Sequence, residues 1–273
     1  KGILRLFSMQ TDDGGLGYWP GAKESILWGS ASGSVAITMA EKQGIEIPET
    51  QALALRDYLS LALRNTAELK SPYEISQRCL TVYALALAGA AETSYHEVLY
   101  EKRKDLSAEA RSLLVLAMLE SGSGSPERID ELLSHDAKVP VAQVSWYKQP
   151  YIAATRLLAE IHRDPESDKI EGLVDDLMKL REPQNGWGST YSNAWPLIAL
   201  SAYGEKAAAN LAGNQIEVAF AGETHRVELP AKPGSEALSF DFEGSDPDRA
   251  LSLETSGNAP VYASLQIATR PAL

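Results

Sequence analysis

One cysteine in 273 residues, Cys79, leaves no internal disulfide and no cysteine-built zinc site. It falls on an apolar helical stripe with Ile75, Val82, Tyr83 and Ala86, the setting of a core thiol rather than a reactive one. Histidine is scarce. His96, His135, His162 and His225 show no i, i+4 pair, so surface or helix-cap positions are expected and no metal or cofactor is implied. No apolar run reaches the ~18 residues that would cross a bilayer. Basic residues are outnumbered, 25 against 37 acidic, and the net charge of −12 with no Lys/Arg cluster excludes nucleic acid and anionic lipid as partners.

What is present is a globular composition, 44% hydrophobic and 23% charged, long enough for two domains. The chain opens at Lys1 without a methionine and residues 1 to 10 read as the end of a helix, so a fragment of a longer protein is expected. Helix signals then recur. Ser71-Pro72-Tyr73-Glu74 is a capping box with proline at the first helical position, Ser94-Tyr95-His96-Glu97 reads as a second, and Gly44 and Gly122 suit left-handed C-terminal caps. Two kinds of helix alternate between these marks. Ile26 to Met39, Ile75 to Ala91, Ala108 to Leu119 and Ala194 to Ala202 are apolar nearly all round and must be covered on every side. Gln51 to Leu69, Tyr95 to Lys104, Glu127 to Leu133 and the stripe Ile170, Leu173, Val174, Leu177 and Met178 are amphipathic and belong outside. Ile152 to Ile161 falls where an inner helix is due, with a polar face. Inner helices starting near 26, 74, 107, 150 and 192 give a two-helix repeat, and an α/α toroid over residues 1–211 buries them better than an open array.

A local echo supports the repeat. Leu6-Phe7-Ser8-Met9-Gln10 leads into Gly15-Leu16-Gly17-Tyr18-Trp19, and Leu180 to Gln184 leads into Gly186-Trp187-Gly188; in each an aromatic is expected to pin a Gly-rich turn against the next inner helix. After Gly213 the period becomes two. Ile216, Val218 and Phe220, then Val227 and Leu229, Leu238 to Phe242, Leu251 and Leu253, and Val261 to Ile267 predict five antiparallel strands, a small β-sandwich-type unit over residues 214–273.

Catalytic patterns are sparse. Asp12-Asp13 runs into Gly14-Gly15 and reads as a turn; Asp175-Asp176 sits on a solvated helix face. Gly29-Ser30-Ala31-Ser32-Gly33 has alanine where a nucleophile elbow needs serine, and reads as small residues allowing close packing. Paired carboxylates for glycoside chemistry need only meet in space, so that possibility stays open.

Taken in order, Asp13-Gly14-Gly15-Leu16-Gly17-Tyr18-Trp19-Pro20-Gly21 with Trp28-Gly29-Ser30-Ala31, Leu80 to Ala86, and Asn185 to Thr190 running into Ala194 to Leu200 resemble the thioester domain of bacterial alpha-2-macroglobulins. The complement thioester proteins are more distant relatives. The resemblance implies a helical ring followed by β-sandwich strands, within a non-enzymatic trap for proteases. In such proteins a cut in a bait region exposes a buried Cys-Gln thioester, which a lysine of the attacker then opens. It further implies that the family's Cys-x-Glu-Gln motif, where the parent carries one, lies before Lys1, since Cys79 is followed by Leu80-Thr81-Val82; some bacterial relatives lack the thioester altogether. The first hairpin, the bait region and the upstream macroglobulin domains would then also precede this chain. The expected partners are target proteases and those domains of the parent. The expected location is periplasmic or extracellular, with lipid anchoring through the parent's N-terminus. The stretch Leu69 to Tyr73 lacks the histidine that assists hydroxyl transfer in complement relatives, so amine attack is implied. Tyr18 and Trp19 are the site candidates. They either shield a thioester from water or plug a turn as Trp187 does, while Trp28 is expected in the core. A toroid enzyme of the terpene-cyclase or glycosidase type is the alternative, and a cluster of carboxylates around a deep cavity would favour it. A helical-repeat interaction module is the third reading, less suited to the β-tail.

Overall fold

The computed structural model describes residues 1–64, 71–134, 149–182, 184–208, 215–220, 222–228, 238–240 and 250–256. It contains two compact units, Lys1–Leu200 and Ser201–Leu273.

A short α1 (Gly2–Phe7) opens the first unit, followed by α2 (Leu27–Lys42), α3 (Glu49–Arg64), α4 (Pro72–Leu87), α5 (Thr93–Glu101), α6 (Ala108–Ser121), α7 (Pro126–Ser134), α8 (Gln149–Arg163), α9 (Lys169–Lys179) and α10 (Thr190–Ala208), which belongs to this unit as far as Leu200. The even-numbered helices α2, α4, α6 and α8 pack in succession, and α3, α5, α7 and α9 lean on them from outside. This is the inner and outer alternation of an α/α toroid, as the apolar pattern requires. In α6 every residue from Glu109 to Met118 is buried, because α4 and α8 cover two of its sides and α5 and α7 the rest. In α9 burial is confined to Ile170, Val174 and Leu177, one stripe at helical spacing. Each such side chain removed from water contributes about 1.5–3 kcal/mol. α8 has inner character despite its polar residues: even Glu160 is buried, its carboxylate accepting from Arg163 and from Ser167 Oγ at 2.8 Å.

The caps follow the sequence in part. Ser71 forms the full capping box with Glu74, and Gly44 and Gly122 adopt φ of 80° and 64°. The second box does not form. α5 begins at Thr93 behind Glu92, whose carbonyl already accepts from Tyr95 N, so Ser94 lies inside the first turn.

His96 is fully buried, not on the surface, with Nδ1 2.9 Å from Ser123 Oγ. Burial holds its pKa below the ordinary value of 6.5, against a smaller opposing pull from Glu97. Below pH 6.5 the unfolded chain takes up a proton that the folded chain refuses, so stability falls as the medium is acidified. Melts from pH 8 to pH 5 are expected to show this loss, with a slope of at most about 1.4 kcal/mol per pH unit from this group. His96→Gln should flatten that slope.

In the second unit, β1 (Gln215–Phe220) lies between β2 (Glu223–Glu228) and β3 (Ser252–Ser256), both antiparallel to it. Ile216 and Val218 sit opposite Val227 and His225 on one side and Thr255 and Leu253 on the other, so one face is mostly apolar. The opposite face carries the Arg226–Glu217 pair at 2.7 Å. Three of the five expected strands thus fall among the described residues. Residues 238–240 are described without strand pairing, Phe240 meeting Phe220 edge-on at 5.7 Å, and 261–267 lie outside the described residues.

Candidate functional site

Contacts at both ends show that the inner helices run parallel. Ser76 near the start of α4 meets Ser107 at the start of α6, whereas Lys42 at the end of α2 meets Glu120 at the end of α6. One end of the array therefore gathers the N-termini, and the loop carrying Tyr18 and Trp19 enters α2 at that end.

That loop is built on Asp13. Its carboxylate accepts from Thr11 Oγ1 at 2.7 Å, Gly15 N at 3.0 Å and Ser25 Oγ at 2.8 Å, the turn expected of Asp12-Asp13. Burial alone would push its pKa up, but these hydrogen bonds outweigh it and hold the acid below the usual carboxylate range. A short antiparallel bridge pairs Gln10 with Leu16. Leu16 is buried against Ile37 and Leu55, donates its N–H to Ser30 Oγ at 2.8 Å, and comes so near Gly33 that a Cβ there would lie 2.4 Å from its Cδ1. The small residues of α2 thus let the turn dock.

The second Gly-rich turn repeats the design. Glu182 bridges to Gly186, Trp187 N donates to Asn193 Oδ1 at 3.0 Å, and the buried indole donates to Leu177 O at 2.9 Å. Ser30 and Asn193 are each the fourth residue of their helix. In this frame Leu16 is the counterpart of Trp187, so the pin of the first turn is aliphatic. The expectation that Tyr18 or Trp19 plugs it is not met: their side chains are 63% and 68% exposed, with ring centroids 5.5 Å apart. From pin to helix anchor the first loop spans fourteen residues and the second six, so eight extra residues carry the aromatic pair. Gly21 near their tip has φ of 82° and open space around it. Trp28 is half-buried.

No family model matches the chain. An alpha-2-macroglobulin homolog of a Nostoc species is 25% identical over 219 residues, covering 74% of this chain and 11% of the relative. The chain is similar to the bacterial alpha-2-macroglobulins. Among solved structures, the trypsin-activated alpha-2-macroglobulin of Escherichia coli aligns over 83% of this chain and 16% of its own, at 20% identity and a TM-score of 0.61. The Salmonella alpha-2-macroglobulin reacted with methylamine aligns over 84% of this chain and 16% of its own, at 19% identity and a TM-score of 0.66. This chain therefore spans between a tenth and a sixth of those alpha-2-macroglobulins.

The remaining candidates resolve plainly. Cys79 is fully buried, and burial, with the charge of Glu109 adding, pushes its thiol far up, which suits a core residue. Asp176 pairs with Lys179 at the surface. Among the described residues no group of three or more metal-ligating side chains converges, and no helix is long and apolar enough to cross a membrane. His135 lies outside the described residues. A groove of about 900 Å³ at the edge of the array is lined by residues of α1 and Ile45 to Pro48.

Proposed function

We propose that this chain is the C-terminal helical and β portion of a bacterial alpha-2-macroglobulin that traps proteases, and that it acts as a scaffold rather than an enzyme. The reading rests on the similarity in sequence and fold, which runs over most of the chain. In this reading residues 1–211 form the thioester-type ring and 214–273 its β-neighbour. The thioester hairpin and the macroglobulin domains belong to the parent chain ahead of Lys1, in a periplasmic or extracellular protein anchored by lipid. Tyr18 and Trp19 then cover an acyl thioester at the N-terminal end of the inner helices. An exposed aromatic pair on a stiff, inserted loop suits that role, because excluding water preserves a strained acyl group until a trigger moves it. That one relative is activated by trypsin and another reacts with methylamine supports protease triggering and amine attack here.

The full-length parent incubated with trypsin should give an adduct that survives denaturing electrophoresis, and methylamine should release one titratable thiol. In the parent, Tyr18→Ala/Trp19→Ala should speed spontaneous thiol release roughly tenfold, about 1.4 kcal/mol off the barrier. Stability should stay within about 0.5 kcal/mol, since both side chains face water. Absence of both adduct and thiol release would refute the covalent trap. Unchanged release in the double variant would leave the trap standing and remove the shielding role.

A further inference from the structure

At the end of the array opposite the aromatic loop, the inner helices α2, α6 and α8 each send one titratable side chain to the same place. Glu120, in the last turn of α6, is the hub. Its Oε2 lies 3.5 Å from Lys42 Nζ, at the end of α2, and its Oε1 lies 3.6 Å from His162 Nδ1, in the last turn of α8. Tyr83 of α4 is fully buried with its hydroxyl unpartnered, and the charge of Glu120 reaches it. A carboxylate in the last turn of a helix faces the negative end of the dipole, whereas Lys42 and His162 at their own C-termini are favoured there. Glu120 thus sits where it depends on cations supplied by its neighbours. Both contacts are longer than a tight charge-assisted hydrogen bond, so the carboxylate is shared between them rather than committed to either.

We propose that Glu120 is a partner-switching hub, holding Lys42 of α2 while His162 is neutral and turning to His162 of α8 when that imidazole takes a proton from water. The proton adds at Nε2, leaving Nδ1–H to donate to Oε1. The charged side chains that bear on His162 are Glu120 of α6 and Lys42 of α2; on α8 itself, Glu160 is committed to Arg163 and Ser167. Burial holds His162 below its ordinary value, Glu120 pulls it back up, and Lys42 pushes it down. Removing Lys42 or Glu120 should therefore move the titration in opposite directions. The consequence is mechanical. The Lys42 contact ties α2 across to α6, past the α4 between them, and α2 is the helix on which the aromatic loop docks. Acidification then loosens the C-terminal end of α2 while tightening α8 on α6.

The test is the ring-proton titration of His162 by NMR in the whole 273-residue chain, the signal assigned by its loss in His162→Gln. Glu120→Gln is expected to lower the midpoint by about half a pH unit and Lys42→Gln to raise it by about as much, the size of shift typical of partly exposed pairs. Hydrogen exchange at residues 39–44, corrected for intrinsic rates, should rise roughly threefold from pH 7.5 to pH 5.5 in the unsubstituted 273-residue chain and not in His162→Gln. A midpoint indifferent to both substitutions, or exchange in α2 that ignores pH, overturns the proposal. The side chains of Lys42 and His162 are 51% and 33% exposed, outside the closed core, so misfolding of those variants does not account for either result.

Discussion

Gly14→Ala should destabilise the helical unit by about 2–4 kcal/mol, combining the cost of a left-handed alanine with that of an overpacked contact. Gly14 has φ of 87°, and an added Cβ would sit 2.4 Å from the carbonyl oxygen of Ala54 in α3 and 2.9 Å from its carbon. The obstacle is backbone, so no rotamer can yield. Nor can the loop retreat easily, because Gly14 N donates to Thr11 O while Gly14 O accepts from Gln10 Nε2, which also reaches Gln51 O. Gly21→Ala separates the two causes. Its φ of 82° imposes the same backbone strain, but nothing lies within 4 Å of the added methyl, so about 1 kcal/mol is expected. Urea unfolding followed by far-UV circular dichroism reads both. Equal midpoints for the two variants would mean that the turn is not wedged against α3.

The array was legible in the sequence because each helix carries its own signal. α2, α4, α6, α8 and α10 begin within two residues of the starts expected from the change between all-round apolar and striped segments. Caps were less secure: Ser94 has the right spacing to Glu97, yet Glu92 two residues earlier opens the helix, and spacing alone cannot rank two adjacent candidates. The loop was misread for a physical reason. An aromatic is the obvious pin, but Leu16 holds the place of Trp187 and the aromatic pair sits in the extra residues that follow. Aligning Gly15-Leu16-Gly17 with Gly186-Trp187-Gly188 position by position would have shown it. The hub was beyond sequence reasoning altogether, since Lys42 and Glu120 stand 78 residues apart and only the curvature of the inner layer brings them together. His96 was misplaced because a single histidine beside Glu97 looks solvated until α6 and its following turn close over it.

Curvature of that inner layer is also what Trp195 reports. It is 3% exposed on α10, meets Tyr151 of α8 edge-on at 5.3 Å and lies 6.3 Å from Tyr83 of α4. One side chain thus touches two inner helices that are themselves separated by α6, which is possible only if the inner layer bends inward around it. Trp195→Ala should cost about 3–5 kcal/mol, the range for emptying a large aromatic site. Leu197, two residues on and 58% exposed, should tolerate alanine within about 0.5 kcal/mol. Trp195→Phe retains an edge for Tyr151 and should recover more than half of the loss, with the near-ultraviolet circular dichroism of the tyrosines largely restored. The contrast tests architecture rather than hydrophobicity in general. If alanine at 195 costs no more than alanine at 197, then α10 is not seated among the inner helices, and the toroid loses the contact that joins α4, α8 and α10 about a common centre.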